Sequence, residues 1–277
     1  MAYENLSEGL LNYFPCQYEG SKLLFRGPRR RLSGDYVAYL GGTETYGKFI
    51  KSPFPALVEE EHDGDRAVNF GCVNAGLDVY ANDPFIVDAC RNARVTVIQV
   101  LGAHNMTNKY YSVHPRRNDR FLRASQLLRT TYPEVDFTEF NFTRHLLTSL
   151  RRQSVDRFKS LEAELKETWL VRMKRLLRKI GGKTVVLWFA NDMPDSKLSI
   201  ETHLRDPLFV DKKMIERIRP LTSEVIFVTP SSVARARGTA GMIFSPMEQP
   251  VAEQMLGVFT HHEAARKVSV ALERLRK

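Results

Sequence analysis

The run Val95–Leu101, VTVIQVL, constrains this chain more than any other segment. It is β-branched and almost continuously apolar, the pattern of a strand covered by helices on both faces, as in a parallel sheet. Shorter runs of the same kind are Tyr36–Leu40 (YVAYL), closed by Gly41-Gly42, then Ala67–Phe70, Thr184–Ala190 (TVVLWFA) and Val225–Val228. Between them lie helical patterns. These cover 55–61, about 84–93 with Asn82 or Asp83 as N-cap and Pro84 in the first turn, 154–180 ending at Gly181-Gly182, 211–219, and a closing helix from about Glu263 to Arg276. Five strands alternating with helices predict an α/β fold, doubly wound around a mainly parallel sheet with right-handed crossovers. An N-terminal helix near Leu6–Phe14 and a hairpin or arm over Ser21–Leu32 precede the first strand. Helices are expected to dominate 118–180, and the stretch 106–180 reads as a helical insertion capping the sheet of a single domain spanning 1–277.

With 277 residues, 43% of them apolar, the chain can bury a full core, and no long stretch has the composition of a disordered segment. The N-terminus lacks the basic and apolar regions of a secretory signal, and no apolar run approaches the roughly 18 residues that span a bilayer. No membrane partner is expected. Cys16, Cys72 and Cys90 are an odd count without CxxC or metal-ligand spacing, which predicts reduced thiols in a cytoplasm and neither metal nor cofactor.

The net charge of +9 is concentrated in three places: Arg26–Arg31, His114–Arg123, and 151–179 with ten basic against four acidic side chains. In the last, charges interleave with Leu161, Leu165, Trp169, Leu176 and Leu177 at helical spacing, as on a solvated helix face. Arg116 and Arg117 form a pair suited to gripping phosphate, sulfate or carboxylate. No RNP-type aromatic pattern, zinc-finger spacing or helix-turn-helix accompanies the charge, which argues against nucleic acid.

In open parallel sheets ligands bind beyond the carboxyl ends of the strands. The segments there read GGTETYGKF (41–49), NFGCVNAG (69–76) and LGAHNMTN (101–108). Gly41-Gly42 lets the chain turn sharply and expose Thr43, Glu44 and Thr45 at a helix start. Thr43 suits a helix N-cap, hydroxyl chemistry or a ligand contact. Gly71 and Gly76 permit close backbone approach, Asn69 or Asn74 can tie loops together, and His104 and Asn105 add an imidazole and an amide to the same edge. Asn191-Asp192 follows the fourth strand, where turn chemistry and function are both open.

These segments resemble the SGNH/GDSL hydrolase superfamily. Strand one plus GGTETYG is similar to its first block, commonly GDSxTxG, with Thr43 at the nucleophilic serine and Thr45 and Gly47 matching. FPALVEEE followed by AVNFGCVNAG looks like the second block, VTVIQVLGAHN like the third, usually ending in GxND, and THHEAARKVSVAL like the last, favouring His261 over His262. The blocks cover about a third of the chain in the right order, and 106–180 has no counterpart. The whole chain also resembles an uncharacterised alphaproteobacterial family of unknown function.

The resemblance implies a three-layer, flavodoxin-like sandwich. It also implies an esterase or acyltransferase acting on a small acylated ester, including saccharide-linked ones, with Thr43 as nucleophile, His261 as base, and His104 and Gly76 at the oxyanion hole beside Asn74 and Asn105. Departures are specific. Gly42 replaces the usual Asp, Thr43 the Ser, His104 the oxyanion Asn, and Asn105 falls where Asp is usual. Gly76 fits only after a one-residue slip, and Val258 stands where an Asp should orient the His. The alternative is an inactive SGNH-like binding or regulatory protein that uses Arg116, Arg117 and His104 for an anionic ligand.

Overall fold

The computed structural model describes residues 11–61, 66–194 and 206–276. Five strands, β1 (Tyr36–Leu40), β2 (Arg66–Asn69), β3 (Val95–Gln99), β6 (Thr184–Phe189) and β7 (Glu224–Val228), form one sheet in the order β2-β1-β3-β6-β7, with every pairing parallel. Counting only these strands the order is 2-1-3-4-5, the flavodoxin-like doubly wound arrangement, whose direction of winding reverses between β1 and β3.

Alternate residues of each strand feed opposite layers, because successive side chains point to opposite faces. Tyr36, Ala38, Leu40, Ile98, Val186 and Trp188 enter one core. Its helices are α3 (Leu77–Ala81), α4 (Pro84–Asn92), α7 (Val155–Ile180) and α8 (Lys212–Ile218). Val37, Tyr39, Val95, Val97, Val185, Leu187 and Phe189 enter the other, beneath α2 (Phe54–Glu61) and α11 (Val258–Arg276). Burial on both faces is the reason β1, β3 and β6 are predominantly apolar.

Several expectations about boundaries hold and several are corrected. Asp83, not Asn82, caps α4, accepting from the Ile86 amide with Pro84 next to it. Ser154 caps α7, whose buried stripe includes Leu161, Leu165, Trp169, Leu176 and Leu177. Of the helix expected at Leu6–Phe14, residues 6–10 lie outside the described residues and Leu11–Phe14 is not helical. The arm that follows is closed by an antiparallel bridge between Cys16 and Phe25.

The largest correction falls in 106–180. Besides α5 (Gln126–Thr131), α6 (Thr143–Gln153) and α7, this stretch contains an antiparallel hairpin, β4 (Tyr111–His114) and β5 (Arg117–Ala124). α7 packs against α3, α4 and α8, so it belongs to the layer covering the sheet. Its anchor is Trp169, fully buried, whose indole N–H donates to the Leu101 carbonyl at 2.8 Å. Replacing Trp169 with Ala removes a large core side chain together with a buried donor. It should lower unfolding free energy by about 3–5 kcal/mol, measurable as a lower midpoint in urea.

Candidate functional site

The switch point between β1 and β3 is built around one amide. Gln99, which with Thr96 is polar in a mostly apolar strand, is 6% exposed. Its Oε1 accepts three hydrogen bonds, from the Gly42 amide at 2.9 Å, the Thr45 amide at 3.2 Å and the Thr45 hydroxyl at 2.6 Å. A Cβ on Gly41 would lie 2.0 Å from Thr45 Oγ1 and 2.6 Å from Gln99 Oε1, so only glycine fits beneath this cluster. The Tyr80 hydroxyl donates to the Gly41 carbonyl at 2.5 Å, pinning the turn from the other side. The result is α1 (Thr43–Tyr46), capped by Gly42 without a side-chain bond. Thr43 is therefore the first helical residue and not its N-cap.

The Thr43 hydroxyl faces the loop after β2. It donates to Asn74 Oδ1 at 3.2 Å and accepts from the Asn74 amide at 3.0 Å. Asn74 sits in the left-handed region, φ 55°, with its side chain exposed and its Nδ2 3.4 Å from Asp119 Oδ2 at the start of β5. Its carbonyl accepts from Asn105 Nδ2 at 3.0 Å, and Asn105 Oδ1 accepts from the Thr143 hydroxyl at 2.6 Å. Gly76 lies so close behind that a Cβ there would be 1.7 Å from the Asn105 carbonyl oxygen. Thr43, Asn74, Gly76 and Asn105 thus do converge. The Asn105 amide, however, is 4% exposed, with one N–H given to Asn74 and its oxygen to Thr143, so its remaining N–H is buried and not presented at the rim.

His261 is placed differently. It lies inside α11, not ahead of it, and is fully buried between Phe54 and Phe189. Its Nδ1 accepts from the Phe54 amide at 3.1 Å, so a neutral ring carries its proton on Nε2, which lies 3.7 Å from Glu44 Oε2. A general base needs the opposite arrangement, with a lone pair aimed at the nucleophile. The hydroxyl and the imidazole bond to separate partners, and the acid beside this His is Glu44, the neighbour of Thr43. His262 is exposed. The main-chain carbonyls of Asn191 and Asp192 accept from Arg235 and from the Trp188 indole (2.8 Å for the latter), as turn residues do.

All but the last residue fall within one family match: residues 1–276 fit the model described as Domain of unknown function (DUF6473). The chain belongs to this family. No curated protein matches it. Among solved structures it is similar to a gut microbial diltiazem-metabolizing enzyme, at 12% identity and TM-score 0.41, over 79% of this chain and 40% of that one. It is similar also to a lipase from a goat rumen metagenome, at 12% identity and TM-score 0.41, over 87% of this chain and 96% of that one. The chain thus spans less than half the length of the first.

In this DUF6473 chain His104 is likewise not at the rim. It is 6% exposed, with no partner for Nδ1 among the described residues, and the backbone of Leu208 closes over the segment by accepting from the Ala103 amide at 2.8 Å. Burial pushes its pKa down to about 4; Asp206 opposes the shift and Arg144 adds to it. What the rim does expose is Arg116 and Arg117, at the tip of the hairpin, where both backbone amides donate to His114 Nδ1 at 3.3 and 3.2 Å. Neither guanidinium forms an ion pair among the described residues. No group of three or more His, Cys, Asp or Glu able to hold a metal ion occurs among them.

Two outcomes follow from this geometry. Gln99→Leu leaves three donors without their acceptor, each worth about 1–3 kcal/mol when buried and unpaired, and should destabilise the fold accordingly in denaturant unfolding. His104 stays neutral in the folded protein while the unfolded chain takes up a proton below its ordinary pKa of 6.5, so stability should fall as pH drops from 6.5 toward 4. The loss attributable to this residue is about 3 kcal/mol. Urea midpoints of His104→Gln against wild type across that range should show a flatter slope in the variant.

Proposed function

We propose that this chain is a binding protein for a small anionic ligand and not an esterase acting through Thr43. One observation carries this reading. Both hydrogen bonds of the Thr43 hydroxyl go to Asn74, while the imidazole assigned as its base is buried and directs Nδ1 at a backbone amide. Among the described residues no base is bonded to this hydroxyl, and a nucleophile needs one for activation. The loop and hairpin that converge at the same edge leave Arg116, Arg117 and Asn74 exposed, and an unpaired guanidinium pair favours a phosphate, sulfate or carboxylate held bidentately. Phosphorylated, sulfated or acidic sugars suit such a rim. The hydrolase or acyltransferase reading would require Asn74 to release the hydroxyl and a base to replace His261.

Among the described residues no helix is long and apolar enough to cross a membrane. The three cysteines are unpaired, and burial raises the thiol pKa of each, Cys72 and Cys90 to about 12, which opposes thiolate chemistry.

Thermal unfolding with glucose 6-phosphate, glucuronate or sulfate tests the reading. At least one should raise Tm, by about 2–4 °C per kcal/mol of binding, and the double variant Arg116→Ala/Arg117→Ala should abolish the rise. Turnover of p-nitrophenyl acetate should match the uncatalysed rate in wild type and in Thr43→Ala alike. Wild-type turnover that Thr43→Ala removes would restore the esterase assignment.

A further inference from the structure

A concave site that shares no residue with the hairpin lies beside edge strand β2. Here the N-terminal arm crosses edge strand β2 and the start of α2, enclosing a cavity of about 430 Å³, within the range of small-molecule sites. Its walls are mainly apolar, with Tyr18, Pro53, Pro55 and Ala56 among them. Three cations line it, Arg26, Arg30 and Lys51, against one carboxylate, Glu59. That carboxylate is already bonded to Arg30 at 2.6 Å.

Arg26 is the unusual member. Its half-buried guanidinium has no carboxylate partner among the described residues and is held by main-chain oxygens instead. Nη1 donates to the Tyr46 and Gly47 carbonyls at 3.3 and 2.6 Å, and Nη2 donates to that of Lys51 at 2.6 Å. Of its five N–H groups, two therefore have no acceptor among the described residues. Burial lowers its pKa, the mark of a charge left without a counter-ion. Tyr18 adds a donor. Its oxygen accepts from the Arg30 amide at 3.0 Å, while its O–H proton has no acceptor among the described residues. The Lys51 ammonium, exposed at the margin, forms no ion pair there either.

We infer that this cavity binds a small monocarboxylate with a compact apolar body, its carboxylate neutralising Arg26 and its body seated against Tyr18, Pro53 and Ala56. The apolar lining disfavours a fully hydrated inorganic anion. The unsatisfied cationic donors disfavour a neutral ligand of the same shape. The cavity shares no lining residue with the hairpin tip, so it stands or falls independently of the function proposed above.

Isothermal titration of the full chain with benzoate and with hexanoate tests it, alongside benzamide and inorganic phosphate. Either carboxylate should bind, and benzamide should bind at least about tenfold more weakly than benzoate, as expected when a charge-assisted hydrogen bond is lost. Ala56→Phe, which fills the cavity without removing a charge, should abolish binding. Lys51→Ala, at an exposed position, should weaken it several-fold with Tm unchanged, and decides the matter if Ala56→Phe fails to fold. Arg116→Ala/Arg117→Ala should leave it intact. The inference is overturned if neither carboxylate binds, if benzamide or phosphate binds as tightly as benzoate, if neither cavity variant weakens binding, or if the hairpin variant removes it.

Discussion

The strand-end architecture depends on the Gln99 side-chain oxygen. A parallel sheet leaves the chain at the carboxyl end of each strand with backbone amides that have no ladder partner, and buried amides must be paired. At the switch point Gln99 takes two of them and a hydroxyl as well. This reaches from β3 to the turn leaving β1, and the turn has no room for a side chain at Gly41. Asn69 does similar work one strand over, donating to the Thr45 carbonyl at 2.7 Å and accepting from the Gly71 amide at 2.8 Å. α1 is only four residues long and could not hold its own conformation. Its neighbours hold it.

Because α1 is so firmly placed, its consecutive side chains are committed to different tasks. Thr43 is directed at the loop after β2, and Glu44 at the start of α11, where its carboxylate accepts from the Leu256 amide just ahead of the helix at 3.3 Å and lies beside His261. The imidazole is then a strut. It gives the start of α2 an acceptor for the Phe54 amide, in a predominantly apolar layer. A triad would need that ring to release the Phe54 amide and bond the Thr43 hydroxyl instead. The Thr43, Asn105 and His261 side chains are each hydrogen-bonded within the fold.

The layers were legible in the sequence because burial on both faces leaves strands continuously apolar, and because Asp83 and Ser154 are side chains whose capping role is local. The hairpin was not legible. β5 reads RNDRFLRA, with Asn118, Phe121 and Ala124 buried, a spacing of three that a bulged strand produces and that periodicity assigns to a helix. At the site, proximity was legible and bonding was not. The positions of Thr43, Asn74, Gly76 and Asn105 could be placed at one edge, but whether an amide is free or spent depends on partners such as Thr143 and Asp119, which are distant in sequence. Gln99 carried a usable signal, since a polar residue inside a buried strand has to be hydrogen-bonded.

The distribution of arginine is the remaining constraint. A net charge of +9 suggests a broadly cationic surface, yet many guanidiniums are consumed internally. Arg172 is bonded to buried Asp78 and to the Thr107 carbonyl, fastening α7 to α3, and Arg157 lies over the Tyr132 ring and pairs with Glu134. Such pairs fix geometry and add no attraction for a distant polyanion, because each cation is cancelled at short range. At the two candidate sites the cations are few: two guanidiniums at the hairpin tip, and Arg26 with Lys51 beside the arm. There, discrimination rests on the shape behind each cation. The rim offers its guanidiniums an open edge, where a hydrated anion keeps part of its solvent shell; the cavity offers Arg26 an apolar wall, where only an anion with an apolar body recovers the cost of desolvation.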